Sequence, residues 1–188
     1  MRYLFNGGWK FLETDTEREY DEVKERRAEF EEVELPHDWL IFDSTDLYRD
    51  GKGWYSKDFE YGEGDEKRCF ITFEGVYMDS EIYVNDVKAF EWKYGYSSFT
   101  FEITGFLKQG KNNITVSATY QNPNTRWYSG AGIYRDVWLN ITEDTYFPQD
   151  GVYIASKPEG SDYIMQVDAE VCGEKAENCK VLVDIDKA

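Results

Sequence analysis

The chain has 188 residues, 41% apolar and 18% aromatic, with 38 Asp and Glu against 21 Lys and Arg and a formal net charge of −17. That composition supports a packed core and argues against disorder. A field of this sign repels phosphate backbones and no basic stripe interrupts it, so nucleic acid is excluded as an expected partner and solubility is the plain reading of the charge.

The first nine residues, Met1-Arg2-Tyr3-Leu4-Phe5-Asn6-Gly7-Gly8-Trp9, hold no apolar core of signal-peptide length. No later run approaches the ~18 apolar residues of a membrane helix, so a cytoplasmic protein without a membrane partner is expected. Residues 13–34 are dense in charge, with Tyr20, Val23 and Phe30 as sparse apolar positions. Thr14 and Glu17 have capping-box spacing, which suits a short amphipathic helix; a solvated insertion between strands suits the same composition.

Period-two alternation dominates from Gly53 onward. Arg68-Cys69-Phe70-Ile71-Thr72-Phe73 is predicted as a strand, and Glu81-Ile82-Tyr83-Val84 and Val87-Lys88-Ala89-Phe90 as a hairpin turning at Asn85-Asp86. Ser98-Phe99-Thr100-Phe101-Glu102-Ile103 alternates as a further strand. Gly110-Lys111-Asn112-Asn113 reads as a turn, Ile114-Thr115-Val116-Ser117-Ala118 as a strand with one apolar face, and Asp136-Val137-Trp138-Leu139-Asn140-Ile141 as the last of the series. Short strands at such spacing predict an all-β antiparallel sandwich.

Proline, glycine and polar residues at Tyr146-Phe147-Pro148-Gln149-Asp150-Gly151 mark a boundary, giving domains of 1–146 and 147–188. Strands are predicted over 163–171 and 180–185, too few for the seven strands of an immunoglobulin-type sandwich, so the tail is either an appendage or an incomplete second domain. Cys69, Cys172 and Cys179 are an odd number; Cys172 and Cys179 have hairpin spacing, but reduced thiols are the expectation in a chain of this size.

Seven ordered strings resemble the sugar-binding domain that opens family 2 glycoside hydrolases. They are Phe5-Asn6-Gly7-Gly8-Trp9-Lys10-Phe11, Val33-Glu34-Leu35-Pro36-His37-Asp38-Trp39, Gly53-Trp54-Tyr55-Ser56-Lys57-Asp58-Phe59, Phe73-Glu74-Gly75-Val76, Ile82-Tyr83-Val84-Asn85-Asp86, Gly95-Tyr96-Ser97-Ser98-Phe99, and Arg126-Trp127-Tyr128-Ser129-Gly130-Ala131-Gly132-Ile133-Tyr134-Arg135-Asp136-Val137. The resemblance implies a jelly-roll β-sandwich of the galactose-binding type, followed by the start of an immunoglobulin-like domain. It also implies a parent enzyme that cleaves β-galactosides, β-glucuronides or β-mannosides with retention, using two glutamates about 5–5.5 Å apart. Those glutamates belong to a (β/α)8 barrel of ~250 residues, which this chain cannot hide. The expectation is therefore a non-catalytic domain without cofactor, cut before its barrel, that buttresses the barrel and the rim of the sugar pocket. The 126–135 string resembles the β-galactosidase branch more closely than the β-glucuronidase branch. An autonomous carbohydrate-binding module and a purely structural domain that sets oligomer contacts are rival readings.

The resemblance places Asn122 at the polar position that touches the terminal sugar, and Asp43 or Asp46 beside the pocket. His37 is the only histidine, so no multi-His metal site is expected, and His37 and Asp38 are expected in a structural turn near the pocket. Arg126, Trp127, Tyr128 and Arg135 combine forked donors with flat rings suited to sugar. A structural alternative has the arginines paired with carboxylates and the aromatics filling an interface. Asn113-Ile114-Thr115 and Asn140-Ile141-Thr142 match the N-glycosylation pattern but lie inside predicted strands.

Overall fold

The computed structural model describes residues 1–62 and 67–184, and these fall into two compact units, Met1–Gly64 with Cys69–Ile141 and Asp65–Arg68 with Thr142–Ala188. Twelve strands run in order through the first: β1 (Arg2–Leu4), β2 (Trp9–Thr14), β3 (Glu31–Val33), β4 (Gly51–Tyr61), β5 (Arg68–Phe73), β6 (Val76–Tyr77), β7 (Ser80–Val84), β8 (Val87–Trp92), β9 (Phe99–Glu102), β10 (Gly110–Tyr120), β11 (Gly132–Ile133) and β12 (Val137–Thr142). One sheet has the order β1-β12-β5-β9, the other β3-β2-β4-β10-β7-β8, and β11 pairs with β6 as a short ribbon.

The alternation seen in the sequence explains the two-layer build. Ile71 and Phe73 of β5, Phe99 and Phe101 of β9, and Leu139 and Ile141 of β12 are buried in one cluster with Ile82, Val84, Ile114, Val116 and Ala118 of the larger sheet. Burial of each large aliphatic side chain contributes about 1.5–3 kcal/mol, so the inner faces hold the layers together. The spine is β4 against β10, antiparallel in unbroken register from Gly51↔Tyr120 to Tyr61↔Gly110. The residues read as a turn at 110–113 are the first four of β10. Asn112 explains this: its buried side chain bonds the carbonyls of Lys108 and Gly110 and the Lys108 N–H, making the bend before the strand rather than in it.

The Asn85-Asp86 turn forms as predicted, with both residues at positive φ, 49° and 66°, the twist a two-residue hairpin needs. Residues 15–30 follow the short-helix alternative rather than that of a solvated insertion. They fold as one helical turn, α1 (Tyr20–Val23), and a 3-10 segment at Lys24–Glu29. The capping box is formed by Glu19 and Glu22 rather than Thr14 and Glu17, because Thr14 is the last residue of β2 and its hydroxyl accepts the Trp54 indole N–H at 3.1 Å. Tyr20 and Val23 pack on Trp54 and Tyr83 in a separate cluster, so the insertion covers the outer face of the larger sheet.

Among the described residues the second unit contains one hairpin, β13 (Val152–Glu159) with β14 (Asp162–Ala169), and an isolated bridge between Tyr146 and Cys172. β14 overlaps the predicted 163–171 strand over residues 163–169. β13 escaped notice because Pro158 interrupts its donors, which an edge strand tolerates. Residues 180–184 form no strand, and Ile185 lies outside the described residues. The cysteines are all free. Asn113 and Asn140 sit within β10 and β12, and their amides bond Asp58 and Thr72.

Candidate functional site

The loop after β10 doubles back through Gly132 to pair with β6, and its fixed point is one carboxylate. Asp38 Oδ1 accepts the backbone N–H of Leu40 at 3.1 Å and of Ala131 at 3.0 Å. Its Oδ2 accepts the Tyr128 hydroxyl at 2.5 Å. Main-chain bonds run alongside, from His37 N–H to the Ile133 carbonyl at 2.8 Å and from Trp39 N–H to the Ala131 carbonyl at 3.3 Å. Hydrogen bonds to a charged acceptor contribute about 1.5–3 kcal/mol each, so this knot locks residues 37–40 to the 121–135 loop. Burial, and then the Asp38 carboxylate, push the Tyr128 hydroxyl well above its usual pKa.

Two glycines make the knot geometrically feasible. Gly132 has φ +112°, and a Cβ there would stand 2.1 Å from the Tyr55 hydroxyl and 2.7 Å from the His37 carbonyl. Gly130, at φ +73°, would bring a Cβ to 2.8 Å from Asp38 Oδ2. Only glycine enters this backbone region without strain.

His37 completes the inner wall. Its Nδ1 lies 2.9 Å from the Tyr55 hydroxyl, and its ring packs on Phe11 and Phe42 at centroid distances of 4.8 and 5.5 Å. Burial lowers its pKa, with the Asp38 charge opposing. His37 and Asp38 thus both hold this turn, His37 against Tyr55 and Asp38 against the Ala131 main chain and Tyr128.

The segment before β4 forms a second rim. Arg49 clamps Glu13 through two bonds of 3.0 Å. Asp43 is exposed and accepts from both the backbone N–H and the hydroxyl of Thr45, at 3.0 and 2.6 Å, which holds its carboxyl below the usual range. Asp46 is exposed; its N–H donates to the Asp43 carbonyl and its own carbonyl accepts from Arg49. Asp50 reaches across the rims, accepting the Asn122 backbone N–H at 2.6 Å. Asn122 is exposed, and its side-chain amide makes no hydrogen bond among the described residues. Buried polar atoms without a partner among the described residues also occur here, namely Trp39 Nε1 and both amide atoms of Asn124.

Trp127 is 60% exposed, and its indole N–H donates to the Tyr96 hydroxyl at 3.0 Å. Arg126 and Arg135 are exposed and form no ion pair among the described residues. Arg135 instead lies 5.4 Å from the Tyr134 ring. Sequence reasoning missed Asp50 as the holder of Asn122, and Tyr96 as the partner of Trp127. The only available signal was Tyr94-Gly95-Tyr96, two aromatics at alternate positions in a polar stretch. A polar cleft of about 240 Å³ elsewhere, lined by Lys52, Glu81, Glu91 and Ser117 among others, includes none of the candidate residues.

Comparisons with known proteins agree on the family. The family model for the sugar binding domain of glycosyl hydrolases family 2 matches residues 30–143. The β-galactosidase BoGH2A of Bacteroides ovatus is 37% identical over 139 residues, covering 66% of this chain and 16% of that protein. A β-glucuronidase of Bacteroides fragilis is 29% identical over 194 residues, covering 91% of this chain and 25% of that protein. The crystal structure of a glycosyl hydrolase family 2 member from Bacteroides cellulosilyticus DSM 14838 superposes with a TM-score of 0.80 at 28% identity, over 95% of this chain and 25% of that one. The chain thus spans between 16% and 25% of the length of these relatives. With more than half its residues matched and the sandwich shared, the chain belongs to glycosyl hydrolase family 2, of which it carries the sugar-binding domain.

Proposed function

We propose that this domain serves a longer, retaining β-glycosidase, bracing its catalytic barrel and lending the 121–135 loop to the rim of a pocket for terminal β-D-galactosides. The Asp38 knot carries this reading. It fixes a loop in which the side-chain amide of Asn122 makes no hydrogen bond among the described residues. Rigid presentation of a polar group is what a sugar pocket needs from a supporting domain. The 37% identity to the Bacteroides ovatus β-galactosidase supports the choice of sugar; a β-glucuronidase parent is the alternative, supported by the Bacteroides fragilis relative.

In the protein that carries this domain, p-nitrophenyl β-D-galactopyranoside should be hydrolysed faster than the β-D-glucuronide, while the 188-residue chain alone should hydrolyse neither. Asn122→Ala should lower kcat/KM for the galactoside about ten-fold, the loss of one polar contact to the sugar. Unchanged kcat and KM would remove Asn122 from the rim. A second reading, a module that binds carbohydrate unaided, is favoured by one observation, the exposed ring of Trp127.

A further inference from the structure

Among the described residues, Lys52 of β4 is the only lysine, arginine, aspartate or glutamate in the interior, 8% exposed. A buried charge is ordinarily paired with an opposite one. Lys52 Nζ donates to the Arg18 carbonyl at 2.9 Å and lies 5.5 Å from the centre of the Trp54 ring. It forms no ion pair among the described residues, although the chain carries a net charge of −17. An ammonium has three donors, so two are left for another acceptor.

Lys52 and Ser117 lie at the floor of the polar cleft of about 240 Å³. Ser117, 1% exposed, accepts the Glu81 N–H at 3.3 Å, and its own hydroxyl proton meets no acceptor among the described residues. Asp79 stands exposed at the opening, and its carboxylate has no hydrogen bond or ion pair among the described residues. The nearby carboxylates are engaged: Glu81 accepts from Tyr83 and Lys88, and Glu91 from Lys88 at 3.0 Å. The cleft lies on the outer face of the larger sheet. Side chains alternate along a strand, so Lys52 faces outward with Trp54, which packs on Tyr20 and Val23. Tyr55 faces the core and His37. The cleft is thus on the other side of β4 from the Asp38 knot and from the 121–135 loop that the knot holds.

Two conditions define what this cleft can take. Lys52 calls for a carboxylate, while the lining as a whole repels a simple anion: Glu19, Asp79, Glu81 and Glu91 stand against Lys52 and Lys93. A ligand meets both conditions when its carboxylate reaches Lys52 and Ser117 and an ammonium of its own meets Asp79. It must also be small, because the volume falls below the ~300–1,000 Å³ of drug-sized sites. We infer that this cleft binds a small zwitterion, a free amino acid, with its carboxylate inward on Lys52 and its ammonium outward on Asp79. The site is separate from the sugar pocket assigned to the parent enzyme and does not rest on that assignment.

The test is titration of the 188-residue chain with L-alanine and γ-aminobutyrate, followed by calorimetry and by the Trp54 indole N–H resonance. Propionate supplies the carboxylate alone, ethylamine the ammonium alone, and D-galactose neutral hydroxyls. At least one zwitterion should bind ten-fold or more tightly than each of these three, move the Trp54 resonance, and weaken as salt is raised. Lys52→Gln keeps a donor for the Arg18 carbonyl but no charge, and should lower zwitterion affinity at least ten-fold. Asp79→Asn should reduce it to the level of propionate. This second variant is exposed, and asparagine also accepts the positive φ of 44° found there, so it decides the matter if Lys52→Gln does not fold. Equal affinity for a zwitterion and for propionate or ethylamine overturns the inference, as does full affinity in Asp79→Asn. Tighter binding of galactose would give the cleft to a neutral polyol instead, and no binding of any probe would leave Lys52 as a strap that holds Arg18 to the sheet; either result overturns it.

Discussion

Two aspartates in this domain do the same local chemistry in different company. Asp86 accepts the Tyr20 hydroxyl at 2.6 Å and shares its oxygen with Arg27 at 2.5 Å. Asp38 accepts the Tyr128 hydroxyl at 2.5 Å and shares its oxygens with two backbone amides. Burial pushes Tyr20 up to about 12, with Asp86 adding to the effect, and Tyr128 is raised for the same reasons. The difference is what each carboxylate restrains. Asp86 and Arg27 are side chains on the surface, 57% and 42% exposed, and they fasten an insertion whose grip on the sheet is already hydrophobic through Tyr20 stacked on Tyr83 at 3.8 Å. Asp38 restrains main chain, tying the Leu40 and Ala131 amides to one carboxylate oxygen, so its loss changes where the loop goes.

The largest effect should come from closing the space that the Asp38 knot requires. Gly132→Ala places a methyl 2.1 Å from the Tyr55 hydroxyl and 2.7 Å from a backbone carbonyl at φ +112°. Left-handed strain and overpacking together should cost about 4 kcal/mol, read as a fall in the urea midpoint at unchanged slope. A loss under about 1 kcal/mol would mean that the loop can re-route, and the contrast with Asp86 would lose its basis.

Removing each carboxylate tests the contrast directly. Asp38→Ala strands two amides and a tyrosine hydroxyl and should cost about 3 kcal/mol. Asp86→Ala loses one hydroxyl bond and an exposed ion pair and should cost about 1 kcal/mol. Limited proteolysis should cut Asp38→Ala within 121–135 and leave Asp86→Ala intact there. Equal losses, or equal protease resistance, would show the two sites to be equivalent.

The unequal legibility of the two regions follows from the same physics. Alternation is a property of consecutive residues, so β5, β9, β10 and β12 could be read from their own sequence, as could the Asn85-Asp86 turn. The Leu35-Pro36-His37-Asp38-Trp39 string marked a turn near the pocket, but nothing local announces that Asp38 bonds Ala131, 93 positions away. The same holds for Asp50 with Asn122 and for Trp127 with Tyr96, whose partners are chosen by the sandwich.

The smallest effect is a pH dependence confined to the Asp38 side. Burial depresses the folded-state pKa of His37, and Asp38 partly offsets this. An unfolded chain takes up the proton near pH 6.5, where the folded form still declines it. The unfolded state therefore binds more protons, and stability rises with pH through this window and falls as pH drops below about 6.5. The slope cannot exceed about 1.4 kcal/mol per pH unit for one proton, and partial solvent access makes it shallower. His37 is the only histidine and carboxylates ordinarily titrate near 4, so urea midpoints between about pH 5.5 and 7 isolate it. His37→Gln keeps an acceptor for Tyr55 and should flatten the profile. Asp86→Ala should leave the profile as it is, whereas Asp38→Ala removes the charge that supports the protonated ring and should carry the decline to lower pH. A profile that responds alike to both aspartates would place His37 outside the knot's field.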